Sequence, residues 1–162
     1  MTLPPSKSGE TDRDVAALRL VQQFQQALQR KDRAEVVDRL RQLVALCAPM
    51  AGQWLQLAPM AADLGEFGLA REAIDLFVEG AGGDPAALMH KVSLLAYIGA
   101  IGEALALLRT LPPDVPDPFS HALSRGALAS NAGETDAARQ WLENALRLRS
   151  QSGQAWHLLG QL

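Results

Sequence analysis

The side chains that could do chemistry in this chain are three histidines, one cysteine and scattered carboxylates. His90, His121 and His157 are separated by 31 and 36 residues. A metal site would want two of them three or four residues apart on one helix face, and no such pair exists. Each histidine reads as a surface or interface residue. Cys47 stands alone, which excludes an intramolecular disulfide and a cysteine-based zinc site. Its apolar neighbourhood predicts an inert buried thiol, because a nucleophilic thiolate needs positive charge nearby. Glu72 and Asp75 are three apart, a helical spacing that predicts a solvated face. Gly80, Ala81, Gly82 and Gly83 run into Asp84, whose charge would repel phosphate, so they read as a helix end and turn. Ser130, Asn131, Ser150 and Ser152 also read as helix-end and turn residues. No catalytic residue, metal or cofactor is expected, and the chain is expected not to be an enzyme.

The elements that would position any site are helices. Apolar residues make up 48% of the 162 residues but aromatics only 5%, with Ala and Leu dominant. That mixture suits closely packed helices; a sheet core would want Val, Ile, Tyr and Phe. The net charge of −3 offers no electrostatic footprint for nucleic acid. It is unevenly spread, about +2 over residues 1–60, −6 over 61–118 and +1 over 119–162. The acidic middle reads as a solvated face. Residues 1–12 lack the apolar stretch of a signal peptide and read as a disordered tail. From Leu43 to Ala62 the polar side chains are only Gln53 and Gln56, a length that could span a bilayer. Pro49, Gly52 and Pro59 argue instead for a helix end, a turn and a new helix. The expectation is a cytoplasmic protein with no membrane partner.

An internal period carries the strongest signal. Gly68, Gly99 and Gly133 are each followed by a small residue five later (Ala73, Ala104, Ala138). A large apolar residue comes nine later (Phe77, Leu108, Leu142), and Pro85, Pro116 or Ser150 seventeen later. The glycine ends a first helix, the alanine allows the second helix to cross it closely, and the large residue fills the space between pairs. Asp84 with Pro85, and Asp117 with Pro118, read as N-cap and first helical residue. Trp156, Leu159 and Gly160 give a W-x2-L-G pattern, and Gly126 takes the same glycine position one repeat earlier. With A-x3-F and the closing Pro, this resembles the tetratricopeptide repeat family, whose period is 34 residues.

In this anchoring the spacing is uneven. Ala73 to Ala104 is 31 residues, and Val36, the counterpart in the first pair, to Ala73 is 37. The first helix of the second pair has two frames. One is Trp54, Leu57, Ala58 and Ala61, with an insertion at Glu66, Phe67 and Gly68. The other is Leu57, Met60, Ala61 and Leu64. Pairs are expected at about 14–48, 51–81, 85–112 and 118–149, with a partial repeat at 153–162, in one domain from 13 to 162.

The resemblance implies an all-α, right-handed α-solenoid of antiparallel helix pairs whose concave face is lined by the first helices. The family's groove positions fall here on Leu55, Ala58 and Ala62, then Met89, Ser93 and Tyr97, then Ser120, Leu123 and Asn131. Ala86, Ala96, Ala127 and Ser130 complete the set. Members that grip acidic chaperone tails carry Lys, Arg and Asn there. No Lys or Arg stands at these positions, so the implied partner is a protein or peptide, an apolar helix or an adjoining domain. The implied function is a non-catalytic interaction scaffold. The alternative is the N-terminal repeat region of a larger bacterial enzyme, for example a sulfotransferase-like protein. At the C-terminus Trp156, Leu159 and Gly160 are expected to pack onto Ala138, Leu142 and Ala145. Leu158 and Leu162 are left as an interface for more chain or for a homodimer.

Overall fold

A computed structural model describes residues 8–46 and 51–162. The described residues form nine helices and no strand. They fall into two compact units, Met1–Gly80 and Ala81–Leu162, where a single domain was expected. Residues 8–12 lie inside the first helix, not in a tail, and residues 1–7 lie outside the described residues.

The first unit holds α1 (Ser8–Arg30), α2 (Arg33–Ala45), α3 (Ala51–Asp63) and α4 (Phe67–Gly80). α1 packs on α2 and α3 on α4, each across a tight turn, and α2 also packs against α3 and α4. The α1–α2 turn closes with the Lys31 N–H donating to Leu28 O (3.1 Å) and the Asp32 N–H to Ala27 O (3.1 Å). This pair of bonds satisfies carbonyls that a helix end leaves without partners, and it needs a left-handed residue between them. Lys31 takes that conformation at φ 56°. Asp32 then caps α2, accepting from the Glu35 N–H at 3.1 Å.

The second unit holds α5 (Pro85–Tyr97), α6 (Ile101–Thr110), α7 (Pro118–Asn131), α8 (Thr135–Leu148) and α9 (Gly153–Gly160). Each helix packs on the next, and α9 also reaches α7. Asp84, Asp117 and Ser152 cap α5, α7 and α9 with side-chain oxygens, and Pro85 and Pro118 open the first two of these helices. Proline costs nothing there, since its missing N–H is one the helix start would leave unused. Val92, Leu95, Ala104, Leu105, Leu108, Leu111 and Leu128 form one buried cluster, and Ala122, Ala145 and Ala155 another.

The turn found at Lys31 recurs at Gly65, Gly99 and Gly133, with the same two backbone hydrogen bonds each time and φ between 77° and 81°. These four residues are spaced uniformly by 34. The uneven spacing expected from the sequence came from anchoring the second pair on Gly68. That residue lies within α4, whereas Gly65 makes the turn. Five residues past each turn stand Val36, Ala70, Ala104 and Ala138, all buried. Nine past stand Leu40, Ile74, Leu108 and Leu142, at most 1% exposed. Ala73 is buried as expected, but Phe77 is half-buried, and Ile74 fills the position given to it. Glu66, Phe67 and Gly68 are no insertion: Glu66 and Phe67 fill the places that Glu134 and Thr135 fill at the start of α8.

The same register settles α3. Trp54, Leu57, Ala58 and Ala61 are its buried stripe, so the first of the two frames holds. Pro59 falls on the exposed side of the helix. Proline removes the amide that would bond the Leu55 carbonyl, and on the exposed side its ring displaces no core side chain. In α7 the equivalent crossing is closest at Gly126. A methyl group there would stand 2.7 Å from the Leu142 side chain and 3.2 Å from its amide nitrogen. Glycine is required by that approach of α7 and α8.

Candidate interaction surfaces

The residues with chemical potential do not converge. His90 and His157 are exposed and His121 is buried, each on a different helix. Among the described residues no group of His, Cys, Asp and Glu is arranged to hold a metal ion. No described helix is long and apolar enough to cross a membrane. Cys47 lies outside the described residues. Asp117 is held below its ordinary carboxylate value by the Ser120 hydroxyl at 2.6 Å and the Ser120 amide at 3.0 Å, both donating to it. That is the work of a helix cap.

The groove positions divide by unit. In the second unit Tyr97 is 64% exposed, Ser93, Ala86 and Asn131 are exposed, and Met89, Ala96, Ser120, Leu123, Ala127 and Ser130 are half-buried. All of them therefore lie off the fully buried core, at successive turns of α5 and of α7. Ser93 turns its hydroxyl back to the Met89 carbonyl at 3.0 Å. Leu123 packs at the edge of the Ala122, Ala145 and Ala155 cluster.

In the first unit two assignments fail. Ala58 is 0% exposed and Ala62 6%, so neither lines an open surface, and Leu55 is half-buried. Ala58 was misplaced by the choice of frame. With Gly65 as the turn it takes the place of Gly126, the close crossing, and Pro59 moves to the outer face. Ala62 holds an outer position in that register, but neighbouring side chains cover a residue so small.

Sequence reasoning missed the open surface of this unit. Val21, Gln25 and Leu28 of α1 line a cleft of about 370 Å³ with Gln53, Gln56 and Met60 of α3, floored by Phe24, Leu43 and Leu57. Counting back 34 residues from the α3 register would have found Val21 and Gln25. The cleft has an apolar base and neutral amide groups, with no charged side chain among the described residues that line it.

The last helix also departs from expectation. Trp156 does not pack inward: it is 57% exposed, and its indole N–H donates to the Ser150 carbonyl at 3.0 Å. Ala155, at 0% exposed, makes the inward contact. The reason lies in the register. Trp156 stands where Trp54 and Ala122 stand in their helices, the position buried in each of those pairs, where a second helix packs across the first. In α9 it is Ala155, not Trp156, that packs with Ala122 of α7 and Ala145 of α8. Leu158 and Leu162 are half-buried, so the strongly exposed apolar groups at this end are Trp156 and Leu148, the latter 48% exposed. Beside them Phe119, Leu148, Arg149 and Gln154 line a shallow cleft at the α8–α9 turn. The Arg149 guanidinium lies 4.3 Å over the Phe119 ring.

Neither a scan of protein-family models nor a search of characterised proteins finds a match to this chain.

Proposed function

We propose that the chain is a tetratricopeptide-like interaction scaffold, which binds a protein or peptide through the outer faces of its first helices and catalyses no reaction. The observation that carries this reading is the uniform 34-residue recurrence of one helix-ending turn at Lys31, Gly65, Gly99 and Gly133. It comes with a small or β-branched residue five later and a large buried one nine later. That is the period and internal logic of the tetratricopeptide repeat. The right-handed superhelix belongs to this reading, as does a cytoplasmic setting. Tyr97, Met89 and Ser93 on α5, with Ser120, Leu123 and Asn131 on α7, supply an uncharged surface. It suits an apolar helix better than an acidic tail.

A photo-reactive amino acid placed at Ser93, and separately at Arg139 as a control, tests the surface. Irradiation in cells expressing the chain should give a discrete adduct from Ser93 and none from Arg139. Equal labelling at both positions would remove the surface from consideration. A second reading is favoured by the exposed Trp156 and Leu148. Here the repeats form the N-terminal region of a larger multidomain enzyme, such as a sulfotransferase-like protein. The adjoining domain covers α9 in that case.

A further inference from the structure

Among the described residues the buried polar side chain is His121, 1% exposed. Its Nδ1 stands 3.2 Å from the Val115 carbonyl oxygen. A carbonyl only accepts, so Nδ1 carries the proton and Nε2 is the bare acceptor. Nε2 is buried and meets no hydrogen-bond partner. Trp141 and the imidazole are arranged edge to face, with ring centroids 6.4 Å apart at 65°. Over the same Trp141 ring, at 4.2 Å, lies the guanidinium of Arg125, one turn further along α7. Arg125 Nε is also buried without a partner.

The charged groups acting on His121 are Arg125 from its own helix and Asp114 from the 111–117 connection. α8 contributes the uncharged Trp141, and Arg109 of α6 acts on Arg125. Burial is the largest influence and favours the neutral ring. The Val115 carbonyl opposes it, Arg125 reinforces it, and Asp114 opposes it, leaving the group below its ordinary value of 6.5.

We propose that His121 is a proton-sensitive latch on the connection between α6 and α7: neutral, it ties Val115 to α7, and a second proton on Nε2 opens the connection. The second proton would sit on a buried N–H with no acceptor, beside a cation, in surroundings that screen charge poorly. The ring regains hydration only by leaving its place, and the Val115 bond leaves with it. Leu111, which begins the connection and is buried with Leu108 and Leu128, then loses cover.

The sign follows from the lowered folded-state value. The stabilisation is fully present above about pH 6.5 and is lost as pH falls from there toward the folded value. One proton is linked, so the opening constant rises by at most about tenfold per pH unit. NMR titration of the whole chain should show the His121 ring titrating below the ordinary imidazole value of 6.5. Hydrogen exchange at residues 111–117, corrected for intrinsic rates, should accelerate between about pH 7.5 and about pH 5.5. The acceleration should be absent in His121→Asn, which keeps an N–H for Val115 and cannot titrate. A His121 ring titrating at or above that ordinary value overturns the proposal, as does the same acceleration in His121→Asn. If that variant fails to fold, the wild-type titration alone decides.

Discussion

Lys31 does at its turn what glycine does at the other three, holding φ at 56° with a β-carbon in the way. A non-glycine residue in that region costs roughly 1–2 kcal/mol, whereas glycine's cost is mainly its freedom in the unfolded chain. Lys31→Gly should therefore stabilise the first unit by up to about 1 kcal/mol. Chemical denaturation followed by the fluorescence of Trp54, which is 1% exposed, would read this change. A lower unfolding midpoint in Lys31→Gly would mean that the lysine side chain contributes more than its backbone costs.

At the scale of the element, the register of α4 decides which side chain enters the core. Ile74 is 1% exposed and sits nine residues past Gly65. Phe77, nine past Gly68, is half-buried. Truncating a buried isoleucine costs about 2–5 kcal/mol, through lost burial and the cavity left behind. Ile74→Ala should therefore lower the melting temperature more than Phe77→Ala, although phenylalanine is the larger residue. The reverse order in thermal melts would restore the Gly68 register. The same logic explains α3, where Pro59 is tolerated because the 34-residue frame turns it away from Trp54, Ala58 and Ala61.

For the whole molecule, the exposed apolar groups of the last helix carry the expectation of self-association. Trp156 is the most exposed of them at 57%. If a second copy covers α9, sedimentation should give a dimer for the wild type and a monomer for Trp156→Glu. Leu158→Glu with Leu162→Glu should have a smaller effect, because both leucines are already half-buried. Equal monomeric masses for all three proteins would remove the homodimer and leave an adjoining domain as the cover for this face.

Local signals in the sequence determined that the chain is helical and where its helices turn. Asp84 with Pro85, Asp117 with Pro118, Gly99 and Gly133 act on their own few residues of backbone, so their meaning survives without the fold. The burial of Ala104 and Ala138 was legible as well, since a small residue five past a turn glycine marks a close crossing; Ala73 is also buried, but Ala70 holds that place in the second pair. Only the tertiary structure decided the register of the second pair. Gly65 and Gly68 are both glycines near one turn, and what separates them is which of Ile74 and Phe77 meets the neighbouring helices. It also decided that Ala58 is enclosed, that Trp156 is open and that His121 is buried beside Trp141. Burial is settled by what lies across from a residue, and that neighbour stands elsewhere in the chain: Leu142 for Gly126, sixteen positions on, and Val115 and Trp141 for His121.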